Sequence, residues 1–203
     1  EAIGSEQSML LNFTNEGGYE YRYRFLKNIM GLWMIQSIRH EYEDRYSFAQ
    51  ICNMAEENKN FPSRVDVNAP EFLAPKSMTE EVKNYCRKSG QPIPESLGEL
   101  ATIVYQSLAV CYGKTAADIE KVTGERFKVL HVIGGGSNAN YLNQLTADYT
   151  GKKVVAGPTE ATAIGNIVVQ MLEAQIFKNL QEARECISRS FPLKKFYPNE
   201  RSN

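Results

Sequence analysis

Residues 127–170, FKVLHVIGGGSNANYLNQLTADYTGKKVVAGPTEATAIGNIVVQ, decide the fold of this chain. Phe127–Ile133 is a short, largely apolar run that reads as a strand covered on both faces. Gly134-Gly135-Gly136 ends it at once. A helix is predicted from Ser137 to about Thr150, with Gly151 as its C-terminal cap. Lys153–Ala156 makes a second short strand, and Gly157-Pro158 turns the chain. Thr159 is the candidate N-cap of another helix, running to about Gln175. This strand–helix–strand order implies a parallel pair with a right-handed crossover.

Downstream, a helix spans about Leu180–Ser190. The tail from Phe191 to Asn203 has an apolar start (Phe191, Leu193, Phe196, Tyr197) expected to dock and a polar end expected to fray. Upstream, Glu95 or Ser96 opens a long helix to about Val122. Its stripe is Leu97, Leu100, Ala101, Val104, Leu108, Cys111 and Tyr112, and Gly124 ends it. Residues 90–94 break it from a helix over Met78–Lys88. Residues 60–77 hold three prolines and read as an ordered surface loop anchored by Phe61, Val65, Val67, Phe72 and Leu73. A helix over Ser47–Asn58 takes Ser47 as N-cap. Another is predicted from about Arg24 to Glu43, with Leu26, Ile29, Met30 and Trp33 on one face and Leu32 and Ile35 on a second. Its first part is therefore expected to be buried nearly all round. Residues 9–14 read as a strand and 15–18 as a polar turn. There is no internal repeat, and the fold class is helix-rich α/β.

At 203 residues, 42% apolar and 23% charged, the chain has the size and composition of one globular domain. Its 23 basic and 24 acidic residues leave a net charge of −1, which argues against a nucleic-acid or anionic-membrane surface. No apolar stretch approaches the roughly 20 residues of a membrane span. The first residue is Glu1, not Met, so the chain is expected to begin inside a longer gene product. Cys52, Cys86, Cys111 and Cys186 are irregularly spaced and only His40 and His131 accompany them, so no metal site is expected. Reduced, mostly packed thiols in a cytoplasmic protein are the expectation.

Three segments could carry chemistry. Three glycines after a buried strand permit close backbone approach, and their N–H groups can face an anion or nucleotide. The alternative is a tight turn with no ligand, and on this motif alone the two stand level. It matches neither the phosphate-binding loop of nucleotide hydrolases nor GxGxxG. In GPTEATA at 157–163, the small residues Ala161, Ala163 and Gly165 favour close packing of another element, and Glu160 reads as a dipole partner of the helix start. In the third segment, Asn28 and Gln36 interrupt an apolar helix eight residues apart, about 12 Å along one side. Their partners are protein groups or a sugar or nucleotide in a cleft. Trp33 and the alternating Tyr19, Tyr21 and Tyr23 read as packing residues, and both histidines as structural.

TNEGG at 14–18, RFLKNIMGLWMIQ at 24–36, QPIPES at 91–96, HVIGGGSNANYLNQLTAD at 131–148 and AGPTEATAIGNIVVQ at 156–170 together resemble the C-terminal domain of the FGGY family of carbohydrate kinases. The likeness runs over nearly the whole chain. The glycine and GPTEATAIGN motifs are shared widely among sugar kinases, whereas LKNIMGLW with TNEGG is similar to the branch that acts on L-rhamnulose. The resemblance implies a ribonuclease-H-like domain over residues 1–203, related to actin and hexokinase, with a small, truncated mixed sheet. It implies the nucleotide side of a two-domain kinase that phosphorylates L-rhamnulose at its 1-hydroxyl with ATP and Mg2+, partnered by its own N-terminal domain. Matched positions imply that Gly135 and Gln36 contact ATP and Asn28 the sugar. Gly134, Gly136 and Asn140 are added to the ATP set from the surrounding motif. The family's general-base Asp falls before this chain, so no catalytic residue is expected in it, and the 203 residues alone are expected to show no kinase turnover. Other readings are a kinase for another deoxyketose or pentulose such as fuculose or xylulose, a non-catalytic nucleotide- or sugar-binding module, and a helical scaffold whose glycines serve only packing.

Overall fold

The computed structural model describes residues 1–199; the polar end of the tail, where fraying is expected, lies at 200–203 and outside the described residues. The chain divides into two compact units, residues 1–127 and residues 128–203.

The first unit opens with α1 (Glu6–Leu10), β1 (Thr14–Gly17) and β2 (Tyr23–Leu26). Residues 9–14, expected as a strand, instead begin in the end of α1. Ser5 caps that helix by accepting from the Ser8 N–H, and a local cap outweighs the apolar run. β1 and β2 form an antiparallel hairpin, with Thr14 opposite Leu26 and Gly17 opposite Tyr23. The predicted helix from Arg24 therefore does not start there. Arg24 and Phe25 belong to β2, and Phe25 stacks on Phe13 with ring centroids 4.7 Å apart. The helix begins only at Trp33, as α2 (Trp33–Glu41), because Gly31 takes a left-handed φ of 66° and breaks the backbone path. The expected all-round burial before Trp33 is absent; Met34, Ile35 and Ile38 are the buried positions.

α3 (Phe48–Glu57) starts on a capping box, in which Ser47 and Gln50 bond each other's backbone N–H. α4 (Met78–Lys88) and α5 (Leu97–Thr123) follow. The loop before α4 is anchored as expected by Val65, Val67 and Phe72, but Leu73 is 69% exposed and does not anchor it. α5 also carries a capping box, Ser96 with Glu99, and ends at Gly124 with φ 73°. Its first half, Leu97–Ala109, is buried on every side. α3 and α5 pack backbone to backbone at Gly98, where a Cβ would fall 2.9 Å from the Met54 carbonyl oxygen. The Thr102 hydroxyl donates to the Ala55 carbonyl at 2.7 Å across the same seam.

The second unit holds β3 (Val129–Val132), α6 (Asn140–Thr150), β4 (Lys153–Ala156), α7 (Ala161–Glu173), α8 (Leu180–Ser190) and β5 (Lys194–Phe196). Its sheet runs β3-β4-β5, parallel between β3 and β4 and antiparallel between β4 and β5. The parallel pair and small mixed sheet agree with the sequence reading. β3 does not have both faces covered: Val129 and His131 are exposed, and Ile133, just past its end, is 60% exposed. The apolar start of the tail docks only in part: residues 194–196 pair with β4 as an unforeseen strand, while Phe191 is 38% and Tyr197 58% exposed. The thin start of α7 does not receive a close neighbour; a Cβ on Gly165 would meet nothing within 4 Å. Among the described residues no helix is long and apolar enough to cross a membrane.

Candidate functional site

The turn after β3 is built by hydrogen bonds that leave its outer surface bare. Gly134, with φ 76°, donates to the Pro158 carbonyl at 3.1 Å, and Gly157 donates to the Val132 carbonyl at 2.8 Å. The two turns thus tie β3 to β4 beyond the strand ends. Gly135–Asn138 forms one 3-10 turn rather than the first turn of the expected helix, and α6 starts at Asn140. Ser137 is the buried pin of this turn: its hydroxyl donates to the Gly134 carbonyl at 2.7 Å. Asn143, buried on α6, donates its amide to the Ser137 carbonyl at 3.0 Å.

Gly134 needs glycine for its backbone angle. Gly135 does not: its φ lies outside the left-handed region, it is exposed, and a Cβ there would meet no atom within 4 Å. The N–H groups of Gly135 and Gly136 find no acceptor among the described residues. Room at the Gly135 Cα beside two N–H donors with no acceptor, on a turn tied from beneath, suits a polar or anionic group arriving from outside.

Thr159 is not the N-cap of α7; Glu160 occupies that place without a side-chain cap bond. The Thr159 hydroxyl instead lies 3.3 Å from the Ser137 hydroxyl and accepts from the Asn138 amide at 3.3 Å, locking the two turns together. A cleft of about 260 Å³ opens beside it, lined by Ser137, Thr159, Glu160, Ile164, Phe191 and Lys194 among others. The Lys194 ammonium donates to Asn140 Oδ1 at 3.1 Å. Sequence reading missed this link because Lys194 is 54 residues away.

Gly134, Gly135, Gly136 and Asn140 are therefore brought together in the second unit. Asn28 and Gln36 lie in the first, and they do not share a helix: Asn28 sits in the exposed loop after β2, Gln36 on the exposed side of α2. Neither side-chain amide has a hydrogen-bond partner among the described residues. Asn28 stands between two open hollows, one lined with Ile3, Ser5, Ser8, Phe13 and Asn15, the other with Ile29, Met30, Trp33, Asn68 and Leu73. Trp33, Tyr19, Tyr21 and Tyr23 are not packing residues as expected; Trp33 is 43% and Tyr21 fully exposed.

None of the four thiols is in a disulfide; Cys52 and Cys86 are buried and Cys111 and Cys186 partly so. Burial pushes the Cys86 thiol up from its usual range, against a smaller opposing hydrogen bond with Ser63. Among the described residues no three carboxylate, imidazole or thiol groups converge as a metal site would require.

Known proteins locate the chain among these features. The model of the FGGY family of carbohydrate kinases, C-terminal domain, matches residues 1–174. The chain is 50% identical over 190 residues to the rhamnulokinase of Halalkalibacterium halodurans, covering 94% of this chain and 40% of that protein. It is 50% identical over 191 residues to the rhamnulokinase of Oceanobacillus iheyensis, with the same two coverages. The rhamnulokinase of Bacillus subtilis is 42% identical over 189 residues, 93% of this chain and 39% of the relative. The chain thus spans about 40% of the length of these relatives. With the family's C-terminal model matched from residue 1 to residue 174, over both the bare glycine turn and the Asn28 loop, the chain belongs to the FGGY family of carbohydrate kinases.

Proposed function

We propose that the chain is the nucleotide-side, ribonuclease-H-like C-terminal domain of a cytoplasmic kinase that phosphorylates L-rhamnulose at its 1-hydroxyl with ATP. What carries this reading is the 50% identity, over 94% of the chain, to proteins that bear the name rhamnulokinase. The turn at Gly135 supports it, because unpaired N–H groups beside an uncrowded Cα fit a nucleotide. Gly134 supplies the backbone path, Gly136 a second donor, and Asn140 an amide at the start of α6. By matched position, Gln36 is a further nucleotide contact and Asn28 a sugar contact.

ATP supplies the transferred phosphoryl group, and the role of these residues is to bind and orient. Mg2+ would be held chiefly by the ATP phosphates and water, which needs no cluster of protein ligands on this chain. Phosphoryl transfer depends on positioning the nucleophile, the phosphates and a base together. The base belongs to an N-terminal domain of the kind the longer relatives have room for.

A coupled ADP-release assay tests the reading. The full-length gene product should turn over with L-rhamnulose and ATP, while the 203-residue chain alone should not. Absence of turnover by the full-length product overturns the substrate assignment, and clear turnover by the chain alone overturns the division of labour.

A further inference from the structure

The hollow on the Trp33 side of Asn28 has a chemistry that the loop sequence did not disclose. Its opening is about 630 Å³, ample for a six-carbon sugar, and its lining is Asn28, Ile29, Met30, Trp33, Asn68 and Leu73. Among the described residues, one side-chain amide of this lining is uncommitted. Asn68 is already engaged, its Oδ1 accepting from the Met30 N–H at 3.4 Å and its amide donating to Cys111 Sγ at 3.3 Å. The Asn28 amide bonds nothing among the described residues. The rest of the wall is apolar, yet Leu73 is 69% and Trp33 43% exposed.

Trp33 is held in place rather than loose. Its only polar atom, Nε1, donates to the Phe72 carbonyl at 3.3 Å. That bond spends the indole's hydrogen-bonding capacity inward and leaves a ring surface outward with nothing to offer water. Gly31, at φ 66°, swings the chain so that Asn28–Met30 and Trp33 border one hollow. A free amide beside a fixed aromatic surface and two aliphatic side chains complements a ligand with hydroxyls at one end and a methyl group at the other.

We infer that Met30, Trp33 and Leu73 form a subsite for the terminal methyl group of a 6-deoxyketose, and so set selectivity against the corresponding ketose with a hydroxyl on that carbon. The inference rests on the sugar-kinase reading above and deepens it. Asn28 holds hydroxyls, while the methyl group covers apolar surface that water otherwise wets. A hydroxyl placed there would lose water without gaining a partner.

Steady-state kinetics of the full-length product on L-rhamnulose and on L-fructose, its 6-hydroxy counterpart, tests this. The wild type should favour L-rhamnulose in kcat/KM. Trp33→Ser and Leu73→Asn should each cut that preference by about tenfold, the order of magnitude that a single methyl contact gives, with the KM for ATP unchanged. Leu73 is exposed, so Leu73→Asn keeps the test valid should Trp33→Ser fail to fold. An unchanged preference in a folded Leu73→Asn variant that still phosphorylates L-rhamnulose overturns the subsite alone. A wild type that phosphorylates no 6-deoxyketose overturns the subsite and the parent reading together.

Discussion

At the scale of single residues, some glycines are required by backbone shape and others, Gly135 among them, are not. Gly134 and Gly157 have positive φ, and a Cβ on Gly157 would lie 3.0 Å from the Pro192 carbonyl oxygen. Gly135 has neither constraint. Gly135→Ala should therefore leave the melting temperature within about two degrees of wild type, since surface changes away from special features cost within about 0.5 kcal/mol. If a nucleotide sits against this position, the same variant should weaken ATP binding about tenfold or more, as titration calorimetry on the full-length product would measure. Unchanged affinity would remove Gly135 from the site. Glu41 shows the opposite kind of residue, plain in the sequence but mute about its role. From the end of α2 its carboxylate accepts from the Met78 and Thr79 N–H groups and the Ser77 hydroxyl, capping α4.

At the scale of elements, three helix starts with a local serine cap were legible, although the same kind of cap at Ser5 was missed. Ser47, Ser77 and Ser96 each bond a backbone N–H three residues on, and α3, α4 and α5 begin at those points. Where local pattern competes with distant strand pairing, sequence reading failed. Arg24–Leu26 has helical spacing but is claimed by β1, and Lys194–Phe196 is claimed by β4. The α3–α5 seam gives a prediction of its own. Gly98→Ala adds a methyl 2.9 Å from backbone oxygen and displaces Asn58, whose amide bonds that same oxygen. Overpacking costs about 1–3 kcal/mol, which outweighs the ~1 kcal/mol helix gain from replacing glycine. The melting temperature should fall by several degrees. Gly165→Ala in α7, where a Cβ meets nothing, is the control and should be neutral or stabilising.

At the scale of the whole molecule, two tyrosines on α5 link stability to pH. Burial is the main cause for both, with Cys52 near Tyr105 and Cys111 near Tyr112 adding to it. Tyr112 is pushed up to about 12 and Tyr105 is raised further. A phenol in the unfolded chain ionises near pH 10, while these stay protonated in the fold. The folded state then holds more protons, so stability falls as pH rises. This contribution is complete below about pH 10 and is lost as pH climbs through the raised values. Thermal unfolding should show a steep drop in melting temperature above about pH 10, and Tyr112→Phe should flatten part of it. A profile equally steep in that variant would mean Tyr112 is not a source.

The sequence by itself determined the β3–α6–β4 order, most helix boundaries and the glycine motif, because strand length, caps and helical period act over a few residues. It also determined the family, because motifs spread along the chain agree. Tertiary structure decided the hairpin, the tail strand, the outward indole of Trp33 and the Thr159 lock on the glycine turn. Each depends on groups far apart in sequence, whose pairing energy no local pattern encodes.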